Sequence, residues 1–336
     1  MVISLTAFIS LNLINIFWKQ YLFWWLGFFL FFSSYFINYR FIFERFYIWL
    51  IVGFSLFLLV LVLFSSGNIK SWFSIGDFRL QPSEFAKLGF FLLLAKFISY
   101  YYNNLKNFVF VIFSFVTLLP FIILLVLQPD FGMIMLYLLV WVFTLITFLS
   151  KRQIIFGLLL GVLILLIMWF FVFKDYQKAR FISFINYDYD PLGSGYNMRQ
   201  IKLILSISDF FGKGVGFGNL GRNGYLPSAH TDFILTSLIE ERGLLIFIIY
   251  SILMFMLINF LEKYQNYIKF PEISNFIFIT KNYFFVKFLI TSLVNFGLFP
   301  IVGLPVAFLS YGGSHLIFDL WLLGIIVSLI KYNINL

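Results

Sequence analysis

Long apolar runs recur along most of the chain, at about 21–38, 46–66, 84–100, 108–128, 130–149, 154–173, 231–260, 275–299 and 314–330. An α-helix needs about 20 such residues to cross the ~30 Å hydrocarbon core of a bilayer. In lipid only helices and closed barrels satisfy every backbone polar group. A further apolar segment, about 2–17, is short for a span. The expected fold class is therefore all-α: a polytopic integral membrane helical bundle of about ten helices. One large extracytoplasmic loop, 174–230, interrupts it, and no linker divides residues 1–336 into domains. With 62% hydrophobic residues and a mean hydropathy of +1.00, the chain has too little polar surface for a soluble domain of its size.

A net charge of +9 raises the question of nucleic acid. The Lys and Arg residues stand singly at the ends of apolar runs and form no patch, so no nucleic-acid partner is expected. Arg40, Arg45, Lys106, Lys151, Arg152, Lys263, Lys269 and Lys331 fall in one set of alternate loops, Lys19 and Lys70 in the other. The positive-inside rule makes the first set cytoplasmic and the long loop extracytoplasmic. No cleavable signal pattern opens the chain. There is no cysteine, which excludes thiol catalysis, and only two histidines, which disfavours a His-based metal site.

On this topology the polar stretches gather at the outer face. At its centre stands LPSAHTDF, with His230 and Asp232 at the mouth of an apolar helix. An acid there serves equally well as a helix cap. Glu240 and Glu241 follow, about 12–13 Å deeper on a continuous helix, with Arg242 as an available partner and Gly243 as a place to break. A structural ion pair is the expected role of these three, since buried charges are tolerated when paired. Glu84 and Lys87, three apart in QPSEFAK, share a helix face and suit a salt bridge. A lysine there is also a candidate phosphate contact. Asp130 in QPDFG suits a tight turn. GLPVAFLSYGGSH has the composition of a re-entrant loop. The Gly-rich stretches at 193–195 and 212–218 are weak candidates for phosphate binding through backbone N–H groups.

Together these motifs resemble the SEDS family (shape, elongation, division and sporulation), the membrane glycosyltransferases that include RodA and FtsW. The resemblance runs from about Lys19 to Leu316. It rests on KQ at 19–20, WFSIGDFRLQPSEFAKL at 72–88, QPDFG, KDYQKARFISF, DPLGSGYNMRQ, FGKG, LPSAHTDFI and LPVAFLSYGGS. It implies a peptidoglycan glycosyltransferase that polymerises lipid II at the outer face of the bacterial cytoplasmic membrane and works with a class B penicillin-binding protein. Asp232 takes the place of the family's catalytic aspartate. Glu84, Lys87, Asp130 and Arg180 fall on its other motif residues. KDYQKARFISFINYDYDPLGSGYN looks like the RodA branch, whereas the short stretch before YLPSAHTDF looks more like FtsW. Ser228, Ile201 and Ser71 depart from the family pattern.

For glycan polymerisation, an acceptor hydroxyl must lose its proton as it attacks an anomeric carbon, and a pyrophosphate must depart. Asp232 is expected to act as general base or as a ligand of a divalent cation, Mg or Mn. Lys87, oriented by Glu84, with Arg180, Lys202 and Lys213, is expected to meet the pyrophosphate. His230 is expected to shape the loop. No organic cofactor is expected. Two other classes fit parts of the sequence: a lipid-precursor flippase or transporter using Glu240 and Glu241 as relay groups, and a non-catalytic cell-wall scaffold.

Overall fold

The computed structural model describes the chain except residues 66–69, 77, 103–106, 156, 158–169, 171–174 and 335–336. It is a helical bundle. Its long helices are α2 (Ile14–Tyr35), α3 (Arg45–Leu63), α4 (Pro82–Tyr101), α5 (Asn107–Leu127), α6 (Phe131–Ile146), α10 (Ile234–Tyr267), α11 (Pro271–Asn295) and α12 (Gly313–Ile334). Shorter helices are α1 (Val2–Ser10), α7 (Asp175–Ile185), α8 (Tyr196–Ile207) and α9 (Asn219–Arg222). A small antiparallel hairpin, β1 (Phe73–Ile75) with β2 (Phe78–Leu80), leads into α4. The span expected at 154–173 lies almost wholly outside the described residues. We call the end of the bundle that bears the 174–230 loop the loop face, and the opposite end the basic face.

Five described helices are long and apolar enough to cross a membrane. They sort by burial. The windows in α3, α5 and α10 have hydropathies of 2.7–3.0 and are 28% buried; those in α11 and α12 have 1.4 and 1.9 and are 78% buried. The least apolar spans therefore form the centre, because polar side chains find partners there and not in lipid. On α2 the exposed residues Trp18, Leu22, Trp25, Phe29 and Phe32 follow helical spacing and make a lipid-facing stripe.

Two boundaries differ from the sequence expectation. The first apolar segment is not a span. α1 has nine residues and reaches about 14 Å, and Asn12 then takes a positive φ of 59° before α2 begins. Lys19 consequently lies inside α2 and not in a loop. The second difference is in α10, which breaks at Gly243 (φ 69°, ψ −172°). That backbone region is essentially closed to residues with a Cβ, and a Cβ would also lie 2.1 Å from the Phe210 carbonyl oxygen. The uncharged stretch Leu244–Leu261 that follows is eighteen residues long, about 27 Å of helix, and crosses the core by itself. The segment before the break packs beneath the loop. Glu240, Glu241 and Arg242 are therefore at the loop face and not 12–13 Å inside the membrane.

Candidate active site

Asp232 sits in the turn just ahead of α10, partly exposed, at the head of a buried stretch of its own chain that runs from Phe233 to Glu241. Its backbone is clamped. Three consecutive carbonyls are held from outside the segment: His230 O accepts from Tyr311 N at 2.8 Å, Thr231 O from Ser310 Oγ, and Asp232 O from Asn295 Nδ2 at 2.9 Å. Asn295 also caps the first turn of α10, its Oδ1 accepting from Thr236 N at 3.0 Å. A carboxylate on so fixed a backbone is pre-organised for chemistry.

The clamp is itself fixed. Residues 301–312 are irregular and largely buried, as required of non-helical backbone at membrane depth. Ser310 Oγ accepts from Val306 N at 2.8 Å while donating to Thr231 O. Gln20 donates to Ser310 O and accepts from Gly312 N, both at 3.2 Å. Ser4 donates to Leu309 O at 2.9 Å, and Tyr250 to Ala307 O at 3.3 Å. Tyr250 lies seven residues past the break in α10, so the segment dips about 10 Å below it and is re-entrant.

The QPDFG turn reaches the same place. A Cβ on Gly132 would lie 2.5 Å from Val302 O, so only glycine allows this approach. A Cβ on Gly303, next along, would be 3.7 Å from Asp232 Oδ2. Asp130 caps α6 through Met133 N (3.2 Å) and accepts from Gln81 Nε2 (2.6 Å). Burial raises its carboxyl to about 6. Burial lowers the His230 imidazole below its ordinary value, which keeps it neutral near pH 7. Arg180 lies on α7; its side chain is outside the described residues. Its neighbour Phe181 meets Phe131 edge-on at 6.5 Å, which brings α7 to the same turn.

Several expected roles are altered by these contacts. Lys87 pairs with Glu84, but both are buried at 1% exposure. Lys87 Nζ also donates to Tyr283 OH at 2.8 Å. Tyr283 donates to Asp319 Oδ1 at 2.6 Å, and Lys287 binds Tyr283 OH at 3.0 Å and Asp319 Oδ2 at 2.6 Å. Two acids, two lysines and one phenol thus form a charge-balanced set joining α4, α11 and α12. Lys87 is spent there and is not placed to meet a pyrophosphate. Tyr283, Lys287 and Asp319 escape sequence reasoning, because each lies within an apolar run. A signal is nevertheless present: a Lys and an Asp inside the two least hydrophobic spans.

Of the expected ion-pair set, Arg242 attracts Glu241 electrostatically but makes no contact ion pair among the described residues. Glu240 pairs with Lys213 at 3.1 Å and accepts from Leu220 N and Gly221 N, while Arg242 donates to Thr6 Oγ1 at 2.6 Å. Several amides of the two Gly-rich stretches are already engaged within the protein. Gly193 N and Ser194 N donate to Asp190, and these bonds hold its carboxyl below the ordinary value. Lys213 N and Gly214 N donate to the carbonyls of Glu240 and Glu241. Lys202 remains exposed on α8, its stem beside Gly297, two residues from Asn295, and its Nζ 4.3 Å from the Tyr187 ring centre. Arg199 shares that face. Among the described residues no three His, Cys, Asp or Glu side chains converge to hold a metal. Among the described residues, then, no donor set for a resident divalent cation is assembled.

The family model for the FtsW/RodA/SpoVE cell cycle proteins matches residues 1–335. This chain belongs to that family. Its relatives include the peptidoglycan glycosyltransferase MrdB of Escherichia coli K12, 33% identical over 79% of this chain and 71% of MrdB. Another is a probable peptidoglycan glycosyltransferase FtsW of Wigglesworthia glossinidia brevipalpis, 32% identical over 78% of this chain and 70% of its own. Among solved structures, one from a peptidoglycan synthase complex that coordinates polymerization and crosslinking superposes with a TM-score of 0.78, at 26% identity, covering 98% of this chain and 95% of that one. The rod shape determining protein RodA of Thermus thermophilus shares the fold, with a TM-score of 0.70 at 22% identity, over 99% of this chain and 93% of its own.

Proposed function

We propose that this protein is a RodA-like peptidoglycan glycosyltransferase that polymerises lipid II into glycan strands. The observation that carries the reading is the clamped, partly exposed Asp232 at the meeting point of the HTDF, QPDFG and re-entrant segments, in a chain of this family. The Asp232 carboxylate accepts the proton of the acceptor hydroxyl. The freed oxygen bonds to the anomeric carbon. The bond from that carbon to the pyrophosphate oxygen breaks, and undecaprenyl pyrophosphate leaves with the electron pair. Lys202, with Arg199 and Arg180, meets the growing charge on the leaving group. Asp130 and Glu84 support the scaffold.

The loop face is extracytoplasmic on this reading, and the protein resides in the bacterial cytoplasmic membrane. Its partner is a class B penicillin-binding protein, which cross-links the strands made here. The test is polymerisation of labelled lipid II by purified protein, alone and with that partner. Asp232→Asn and Asp232→Ala should lose on the order of 10²–10⁴-fold in rate. An Asp232→Asn rate equal to wild type would refute the assignment. No polymer from wild type with the partner bound would favour the flippase or scaffold.

A further inference from the structure

The loop between α8 and α9 carries an unusual surface. Phe210, Phe211, Val215 and Phe217 are exposed, Phe211 at 75% and Phe217 at 69%. Phe210 and Phe211 pack edge-on at 5.0 Å, and no other ring covers either of them among the described residues. Four large apolar residues on an eleven-residue loop, turned outward, cost solvation unless something apolar covers them.

The backbone fixes their height. Phe210 O accepts from Leu245 N at 3.2 Å, and Lys213 N and Gly214 N donate to Glu240 O and Glu241 O at 3.1 and 2.8 Å. The loop therefore runs alongside the break at Gly243. The uncharged stretch Leu244–Leu261 begins at that break and is about 27 Å long, so the break marks the edge of the hydrocarbon core. Leu244 and Leu245 at the break are exposed, as are Ile248, Ile249 and Ile252 below them. The aromatic loop thus continues the lipid-facing side of α10. Lys213, among the aromatics, turns inward to Glu240. Aromatic side chains beside a cation at this height suit the headgroup–acyl boundary.

We infer that residues 210–217 form an interfacial anchor that dips into the leaflet on the loop face, with bilayer lipid as its partner. The anchor joins the segment that carries Asp232 through the Lys213–Glu240 pair and three backbone hydrogen bonds. It therefore fixes the depth of the carboxylate relative to a lipid-borne substrate. The anchor itself does not depend on the reaction proposed above.

The chain has no cysteine, so single spin labels can be placed cleanly. Phe211→Cys and Phe217→Cys, labelled in the full-length protein in phosphatidylglycerol–phosphatidylethanolamine nanodiscs, should collide more with oxygen than with a water-soluble nickel chelate. Their preference for oxygen should be weaker than that of a Phe255→Cys label on the lipid side of α10, which is 48% exposed in the protein and lies about 18 Å below the break. A Leu192→Cys label, on a turn of the same long loop, should show the opposite preference. If labels at 211 and 217 behave like the one at 192, the anchor does not exist. A lipid anchor is equally ruled out if they lose nickel collisions only when a class B penicillin-binding protein is added, because the patch then covers a protein. Should Phe211→Cys fail to fold, the Phe217 label decides alone.

Discussion

Removing the Asn295 side chain tests how Asp232 is held. Asn295→Ala deletes the donor to Asp232 O, which is part-buried, and the acceptor for Thr236 N, which is buried. Each orphaned group costs about 1–3 kcal/mol. A shift of the carboxylate by about 1 Å is worth roughly 10²-fold in rate. The expected outcome is a lower kcat for lipid II polymerisation with KM little changed, and a lower melting temperature. Asp130 offers a pH test. Its carboxyl titrates near 6 in the fold, above its ordinary value, so the folded protein binds that proton more readily than the unfolded chain. Stability from this group is full at low pH and falls as pH rises from about 4 to about 6. In thermal melts across that range, Asp130→Asn should gain on wild type and then stay level above about 7. Both residues show what one chain can reveal. Asp232 and Asp130 stand out in the sequence as acids at the mouths of apolar helices. Asn295 and Ser310 do not, because their partners lie 63 and 79 residues away.

At the scale of elements, α4, α11 and α12 are joined by the set Glu84, Lys87, Tyr283, Lys287 and Asp319. Sequence spacing reveals its first pair, since Glu84 and Lys87 are one helical turn apart. It cannot reveal the second, since Lys287 and Asp319 belong to different helices. Burying charges costs several kcal/mol each, and their mutual attraction roughly offsets that cost. Asp319→Leu should therefore destabilise by about 3–5 kcal/mol, because it leaves Lys287 unpaired at 1% exposure. The double variant Lys287→Met/Asp319→Leu should recover most of that loss, as measured by denaturation in detergent. Additive losses would mean that the two residues do not act as a pair. Gly243 is legible as a possible break, but its consequence is not. Only the contacts of Phe210, Lys213 and Gly214 with the break show that Glu240 and Glu241 lie beneath the loop.

For the whole molecule, the spans are legible because lipid imposes one rule on every helix that crosses it. The N-terminal segment escapes that rule. Val2–Ser10 is apolar but packs on the re-entrant segment through Ser4 and Phe8, and hydropathy alone cannot distinguish such burial from a span. The same apolar composition hides the inside–outside sorting of the helices, which emerges only as a modest drop in hydropathy for α11 and α12. Charge supplies the remaining asymmetry. Lys263 and Lys269 follow the α10 span and Arg40 and Arg45 flank the turn into α3, while the site gathers at the other end. On the reading proposed above, the positive-inside rule directs the site outward, where a lipid-linked sugar already carried across the membrane would reach it. A membrane-impermeant maleimide should label Leu192→Cys in intact spheroplasts and should reach Lys263→Cys only after permeabilisation. Both residues are exposed, so accessibility in the fold does not limit the reaction. The reverse pattern would put Asp232 on the cytoplasmic side and leave a polymerase without access to an exported acceptor strand.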